Sequence, residues 1–392
     1  MKYNFDEIID RKTTYAEKWI DGHRRFGKED VIPLWVADMD FRVAQPIIDA
    51  ITERAQHGIF GYSAVPGSFI DAVCTFQAKR KGWNIDKSLI SLAPGVVPSI
   101  CMMINELTQK GDKIIIQTPV YHPFFSAVKD AERVLLESPL LEVDDNYYMD
   151  YDDIENKARD GAKCIVLCSP HNPVGRVWTK EELSKLGKIC VKYGMIIISD
   201  EIHSDLIMPG YSHTPIASIA EEISKQTITC FSASKTFNIA GLQSSLVVFP
   251  DKETKHRIDK AWRKLHVEVT NCFSTVAVQA AFEQGEEWLE QVLTYIEGNM
   301  EFVIKYINEK IPGIKVKKPQ ATYLMWLDCR GLGMNGEQLK EFMIHKAGLA
   351  MNTGHSFGMT GEGFMRLNTG CPRSILETAM KKLEEAVSGL VQ

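Results

Sequence analysis

The chain has no stretch approaching 18 uninterrupted apolar residues, so no membrane span is expected. Its opening, Met1-Lys-Tyr-Asn-Phe-Asp-Glu-Ile-Ile-Asp10, has no apolar core of signal-peptide length. The nine cysteines include no Cys-x-x-Cys. They are scattered, odd in number and set in apolar runs such as Cys164-Ile-Val-Leu-Cys168. Buried reduced thiols of a cytosolic protein explain them better than disulfides or zinc, and no metal is expected. No basic stripe is present: Lys79-Arg80-Lys81 and Lys315-Val-Lys-Lys318 are short, and the net charge is -6. Nucleic acid is therefore not expected as a partner. Internal repeats and low-complexity linkers are absent as well.

What is present is an ordinary globular composition, 45% hydrophobic and 24% charged over 392 residues. That length suits one large domain with a smaller one. Residues 1–45 read as an irregular arm. Helices are expected over 46–56, with Pro46 in the first turn, and over 66–82, with residues 58–63 as a loop. A regular alternation follows. Strands are expected at 88–92, 113–117, 133–136, 163–167, 195–199, 227–231 and 244–249, with helices between them. Thr179 to Glu182 has a capping-box pattern opening one of those helices. Strands apolar on both faces that alternate with helices indicate an α/β fold, a mostly parallel seven-stranded sheet covered on both sides. A long helical stretch is expected over 252–310. Strands at 323–327 and 364–368 among helices then suit a smaller α+β domain. The expected division is an arm with part of the small domain at 1–45, a large domain at 46–285 and a small domain at 286–392.

Ligands of such sheets gather at the C-terminal ends of the strands. Those ends carry, in order, Gly95 at a helix start, Tyr121, Asn172 between two prolines, Asp200 and Lys235. Each alone has an ordinary reading: a tight turn, a packed ring, an Asn-Pro turn, a helix cap and a surface lysine. Together they supply a phosphate cradle, a ring stacker, a hydroxyl partner, a pyridinium partner and an imine-forming lysine. That set suits pyridoxal phosphate.

The motifs Ser169-Pro-His-Asn-Pro-Val-Gly175, Ser199-Asp-Glu-Ile-His203 and Ser232-Ala-Ser-Lys-Thr-Phe-Asn-Ile-Ala-Gly241 carry a resemblance. Over nearly its whole length the chain resembles the fold type I pyridoxal-phosphate enzymes, the aspartate-aminotransferase superfamily of class I and II. Leu34-Trp-Val-Ala-Asp-Met-Asp-Phe41, Asp200-Glu-Ile-His-Ser-Asp205 and Ser234-Lys-Thr-Phe-Asn-Ile-Ala-Gly241 look more narrowly like the MalY/PatB-type cystathionine β-lyases, or C–S lyases. The resemblance implies that Lys235 holds the cofactor as a Schiff base and shuttles the α-proton. It implies Asp200 at the pyridinium nitrogen, Asn172 and His203 at the ring hydroxyl, and Tyr121 stacked on the ring. Gly95, Val96, Ser232 and Ser234 would bind the phosphate. Tyr62 would reach the phosphate of a neighbouring subunit, which implies a homodimer with shared active sites. Arg366, in Phe364-Met-Arg-Leu-Asn-Thr-Gly370, would grip the substrate α-carboxylate with its planar fork. Ala37 and Tyr121 would also touch substrate. Two departures stand out. Gln243 replaces an arginine that many relatives place on the phosphate, and His203 stands where aminotransferases commonly have tyrosine.

The implied activity is β-elimination from L-cystathionine and related cysteine S-conjugates in the cytoplasm. It yields a thiol such as homocysteine, pyruvate and ammonia. An aminotransferase is the first alternative, since it uses the same lysine, aspartate, asparagine and arginine. A binding or regulatory protein on an enzyme scaffold is the second, and intact Lys235, Asp200 and Arg366 argue against it.

Overall fold

Strands that are apolar on both faces need helices on each side, and the chain supplies them around one central sheet. The computed structural model describes residues 2–20, 25–267 and 271–390. The sheet has seven strands: β1 Ile90–Ala93, β2 Lys113–Ile116, β3 Val134–Glu137, β4 Ala162–Cys168, β5 Ile196–Asp200, β6 Thr227–Phe231 and β7 Ser245–Val248. Their order across the sheet is β1-β7-β6-β5-β4-β2-β3. Every pairing is parallel except those of β7, which runs antiparallel to β1 and β6. Alternate residues serve opposite faces. Ile115, Ile165, Leu167 and Ile197 pack with Leu183 and Leu186 of the helix Lys180–Tyr193. Ile114, Ile116, Val166 and Ile198 pack with Ile100 and Met103 of the helix Val96–Leu107. The capping box at Thr179 forms as the sequence predicts, with Glu182 as its second member.

A second, antiparallel sheet is built from β8 Lys315–Val316, β9 Leu324–Asp328, β10 Asn352–Thr353 and β11 Phe364–Asn368, in the order β8-β9-β11-β10. Its two long strands are the ones the sequence predicts. The two-residue strands are too short to show a period. The predicted helical stretch over 252–310 is three helices, Lys252–Lys264, Cys272–Gln284 and Glu286–Lys310; its residues 268–270 lie outside the described residues. Asn271 caps the second of them, and Gly285 separates the second from the third. A side chain at Gly285 would meet the Ala281 carbonyl oxygen at 2.5 Å. We propose the domain division 46–285 and 286–392 around these two sheets, with the arm 1–45 joined to the second. Its Ile32–Pro33 pairs in parallel with Leu349–Ala350, which supports that assignment. Met1 and residues 21–24 of the arm lie outside the described residues.

The arm is held together by buried charge. Lys18 Nζ donates to Asp40 Oδ2 at 2.6 Å, Arg11 to Asp40 Oδ1 at 2.6 Å and Trp19 Nε1 to the same oxygen at 3.0 Å. Lys18 and Asp40 are almost wholly buried, and Arg11 also holds Asp38. The cluster ties the segment around Asp38 and Asp40 to the start of the arm, and the Asp40 N–H donates to the Gly370 carbonyl at 2.8 Å. All nine cysteines are free, six of them buried. Among the described residues no helix is long and apolar enough to cross a membrane.

Removing one partner of a buried ion pair leaves an uncompensated charge. Lys18→Met is therefore expected to lower stability by about 3 kcal/mol, read as a lower urea midpoint. Burial pushes the Asp40 carboxyl up, but Lys18, Trp19 and Arg11 outweigh it and hold it below the usual range. Its contribution is full above the ordinary carboxylate pKa of about 3.9 and is lost as pH falls below that value. The acid limb of the stability curve should be shallower in the Lys18→Met variant.

Candidate active site

Strand β6 delivers Lys235. Ser232 caps the single helical turn Ala233–Thr236: its Oγ accepts from the Ser234 N–H at 3.0 Å and donates to the Ser244 carbonyl at 2.6 Å. Lys235 Nζ donates to the Ala37 carbonyl at 2.6 Å, which also accepts from the Tyr323 hydroxyl at 2.8 Å. Behind it, the Thr236 hydroxyl donates to Asp205, which is paired with the buried Lys81 at 2.6 Å. Burial pushes the Lys235 ammonium down; Asp38 opposes this, Arg366 adds to it and Asp200 opposes it, leaving a value of about 8.

Strand β5 ends on Asp200, in register between Cys168 of β4 and Cys230 of β6. Its carboxylate accepts the Ile202 N–H at 3.1 Å. Burial pushes it up to about 7, against that N–H, with Glu201 adding and Lys235 opposing. Glu201 itself is taken up by His213 at 2.8 Å and the Ser199 hydroxyl at 2.9 Å. His203 is buried, with Nδ1 unpartnered and its ring 6.3 Å from that of Tyr323. Burial, then Lys235 and Arg366, push it down to about 3, so its ring is neutral.

The loop after β4 presents Asn172. His171 Nε2 bonds the Pro119 carbonyl at 2.8 Å, and the Gly175 N–H returns to the His171 carbonyl at 2.7 Å. Gly175 has φ +70°, and a Cβ there would lie 2.4 Å from Pro319 Cβ, so a side chain is excluded. Asn172 Oδ1 accepts from Arg366 Nη1 at 3.2 Å, which leaves its amide N–H groups free to donate elsewhere. Arg366 is not on an edge strand: β11 lies between β9 and β10, and the residue is 3% exposed. Nη2 donates to the Trp35 carbonyl at 2.8 Å and to Asn352 Oδ1 at 2.7 Å. All three acceptors are neutral, and Nε has none. Among the described residues no carboxylate pairs with this buried guanidinium, which burial pushes down to about 10.

Lys235, Tyr121, Ala37 and Arg366 line one cavity of 1040 Å³. Gly95 is the extended N-cap of the helix Val96–Leu107, which has no side-chain cap. Its first-turn N–H groups are therefore open to an anion. Ala93, just before it, pairs with Ser245, beside the Ser244 that holds Ser232. Gly95 and Val96 thus flank the start of β7 with Ser232 and Ser234. Tyr62 is not brought to the site within one chain; it is 99% exposed. Sequence reasoning passed over Tyr323, Asn238 and Asn368. The last two hold the arm segment by its backbone, Asn238 at Met39 and Phe41 and Asn368 at Val36 and Asp38. Both lie inside quoted motifs, but an uncharged amide carries no signal of its own.

The expected cofactor fits these residues. A buried carboxyl without a cation suits a pyridinium N–H, and a free amide donor suits the ring hydroxyl. A lysine at about 8 suits an aldehyde. The model for aminotransferases of class I and II matches residues 29–383. The cystathionine β-lyase PatB of Bacillus subtilis (strain 168) is 40% identical, over 98% of this chain and 100% of its own. Cystalysin of Treponema denticola, solved with pyridoxal 5'-phosphate, superposes with a TM-score of 0.96 at 36% identity over the whole of both chains. A pyridoxal-phosphate-bound protein of Clostridium difficile 630 that carries an aminotransferase name superposes with a TM-score of 0.97. It is 48% identical over 98% of this chain and 100% of its own.

In cofactor-free protein, modification of Lys235 by an amine-selective reagent should rise with pH through a midpoint of about 8. Exposed lysines should titrate nearer about 10.4. Mass spectrometry of the labelled peptides reads both. A Lys235 midpoint equal to that of the surface lysines would contradict the burial argument.

Proposed function

The chain belongs to the class I and II aminotransferase family, and on that footing we propose that it is a pyridoxal-phosphate-dependent carbon–sulfur β-lyase acting on L-cystathionine and related cysteine S-conjugates. The observation that carries the lyase reading is the full-length similarity to a cystathionine β-lyase. The cavity supports it by setting a buried guanidinium held only by neutral acceptors among the described residues and a lysine of lowered pKa on one space.

Pyridoxal phosphate, when bound, supplies an electron sink for the pair left on the α-carbon. Lys235 would attach it and would take the α-proton. Asp200 would accept the ring N–H, and the Asn172 amide, beside neutral His203, would donate to the ring hydroxyl. Tyr121 would face the ring. The N–H groups at Gly95 and Val96, with Ser232 and Ser234, would hold the phosphate. Because the Ser232 hydroxyl proton already serves Ser244, and Gln243 supplies no charge, amide donors carry more of that load. Arg366 grips the substrate α-carboxylate, and Ala37 stands at the reacting end. The C–S bond breaks with its electron pair leaving as thiolate. The 2-aminoacrylate released hydrolyses to pyruvate and ammonia.

We further propose a cytoplasmic homodimer. Ile59, Phe60 and Tyr62 stand exposed together, which supports burial against a second copy that would receive Tyr62 at its phosphate. An aminotransferase is the competing reading, favoured by the name of the Clostridium difficile relative.

With L-cystathionine as the sole substrate, the holoenzyme should release pyruvate, ammonia and homocysteine in equal amounts. Lys235→Ala should lose at least about 10³-fold in kcat. Arg366→Lys should lose about 10- to 100-fold in kcat/KM, the loss of charge-assisted forked hydrogen bonds. Turnover that requires an added 2-keto acid would replace the lyase with an aminotransferase. Sedimentation should give twice the chain mass of 44.2 kDa, and Tyr62→Ala should release cofactor faster on dilution. A monomer with tightly held cofactor would refute the shared site.

A further inference from the structure

The cavity lined by Tyr121 and Arg366 extends to an exposed rim. Its 1040 Å³ slightly exceeds the ~300–1,000 Å³ typical of ligand sites. The arm side of that rim carries Glu17 and Arg25. The Arg25 guanidinium lies 4.4 Å over the Trp35 ring and donates to Glu17 Oε1 at 2.6 Å. The same Trp35 reaches inward, since its carbonyl accepts from Arg366 at 2.8 Å. One tryptophan therefore separates the guanidinium that faces the reacting amino acid from a second guanidinium on the same cavity. The floor between them feels both ends. His122 is held below its ordinary value by burial, then by Arg366 and Arg25; burial pushes the Tyr121 hydroxyl up, Arg366 opposes this, and Asp200, Cys168 and Glu17 add to it.

The backbone under this pair is fixed. Lys18, next to Glu17, is buried on Asp40, and its carbonyl accepts from Trp35 Nε1 at 3.3 Å. The Phe26 ring packs edge-on against Trp35 at 5.6 Å. The side-chain ends are not fixed in the same way. Glu17 and Arg25 are 61% and 45% exposed, and an ion pair that exposed contributes little to folding. That exposed ion pair is weak enough to yield to a ligand's charges. Trp35 and Met351 line the passage between, an apolar, polarisable surface suited to a thioether.

Resting on the lyase reading above, we propose that Arg25 and Glu17 recognise the far α-amino-acid group of a two-headed thioether. Arg25 takes its carboxylate and Glu17 its ammonium. The enzyme then selects substrates whose leaving thiol carries an amino acid over those with a plain alkyl group.

The test measures kcat and KM of the holoenzyme for L-cystathionine, S-ethyl-L-cysteine and S-(2-aminoethyl)-L-cysteine. For R25Q and for E17Q, the ratio of kcat/KM on L-cystathionine to that on S-ethyl-L-cysteine should fall about 10- to 100-fold, carried by KM. Charge reversal in R25E should raise the ratio of the aminoethyl to the ethyl substrate, a gain that a loosened fold does not produce. Ratios unchanged in R25Q and R25E, with a wild type active on the thioethers, would overturn this inference alone. A wild type that releases no pyruvate from any of the three would overturn the lyase reading and this inference with it.

Discussion

A buried guanidinium with no carboxylate partner among the described residues is the constraint on which the site depends. Arg366 is held by three neutral oxygens from three separate parts of the chain: the Asn172 amide on a loop of the central sheet, the Trp35 carbonyl on the arm and Asn352 in the small sheet. Neutral acceptors compensate a buried cation only in part. The remaining need is directed at the cavity, where a substrate carboxylate would meet it. The same three bonds make the site a junction, since the arm, the large sheet and the small sheet must all be in place for the arginine to be held.

Lys235 and Asp200 show the same physics from both signs of charge. Burial drives the ammonium down to about 8 and the carboxyl up to about 7, so the two groups approach each other across neutral pH. Paired titratable groups displaced by their surroundings mark acid–base sites. The Ala37 carbonyl then aims the lysine, and that carbonyl is itself set by the Asn368 and Asn238 amides and by the Lys18–Asp40 anchor behind it. A surface-like arm is thus part of the machinery through its backbone.

Much of the fold was legible because its signals are local. Apolar runs such as Lys163-Cys-Ile-Val-Leu167 are strands buried on both faces, and Thr179 with Glu182 marks a helix start that forms as written. The breaks at Asn271 and Gly285 and the two-residue strands at 315–316 and 352–353 were not legible, since a short pairing carries no period. Burial of charge was not legible: Lys18 and Arg366 are almost wholly buried, and Arg366 lies on an inner strand of its sheet.

The sequence by itself determined the order of the central strands and the helices between them, the residue types at each strand end and, through its three motifs, the family. These follow from periodicity and from short spacings, which neighbours along the chain impose. Only the tertiary structure decided which charges lose their water: that among the described residues Arg366 has no carboxylate partner and Asp200 no ion-paired cation, and that Tyr62 stands outside its own site. Desolvation depends on what packs around a group from distant parts of the chain, and no local pattern carries that information.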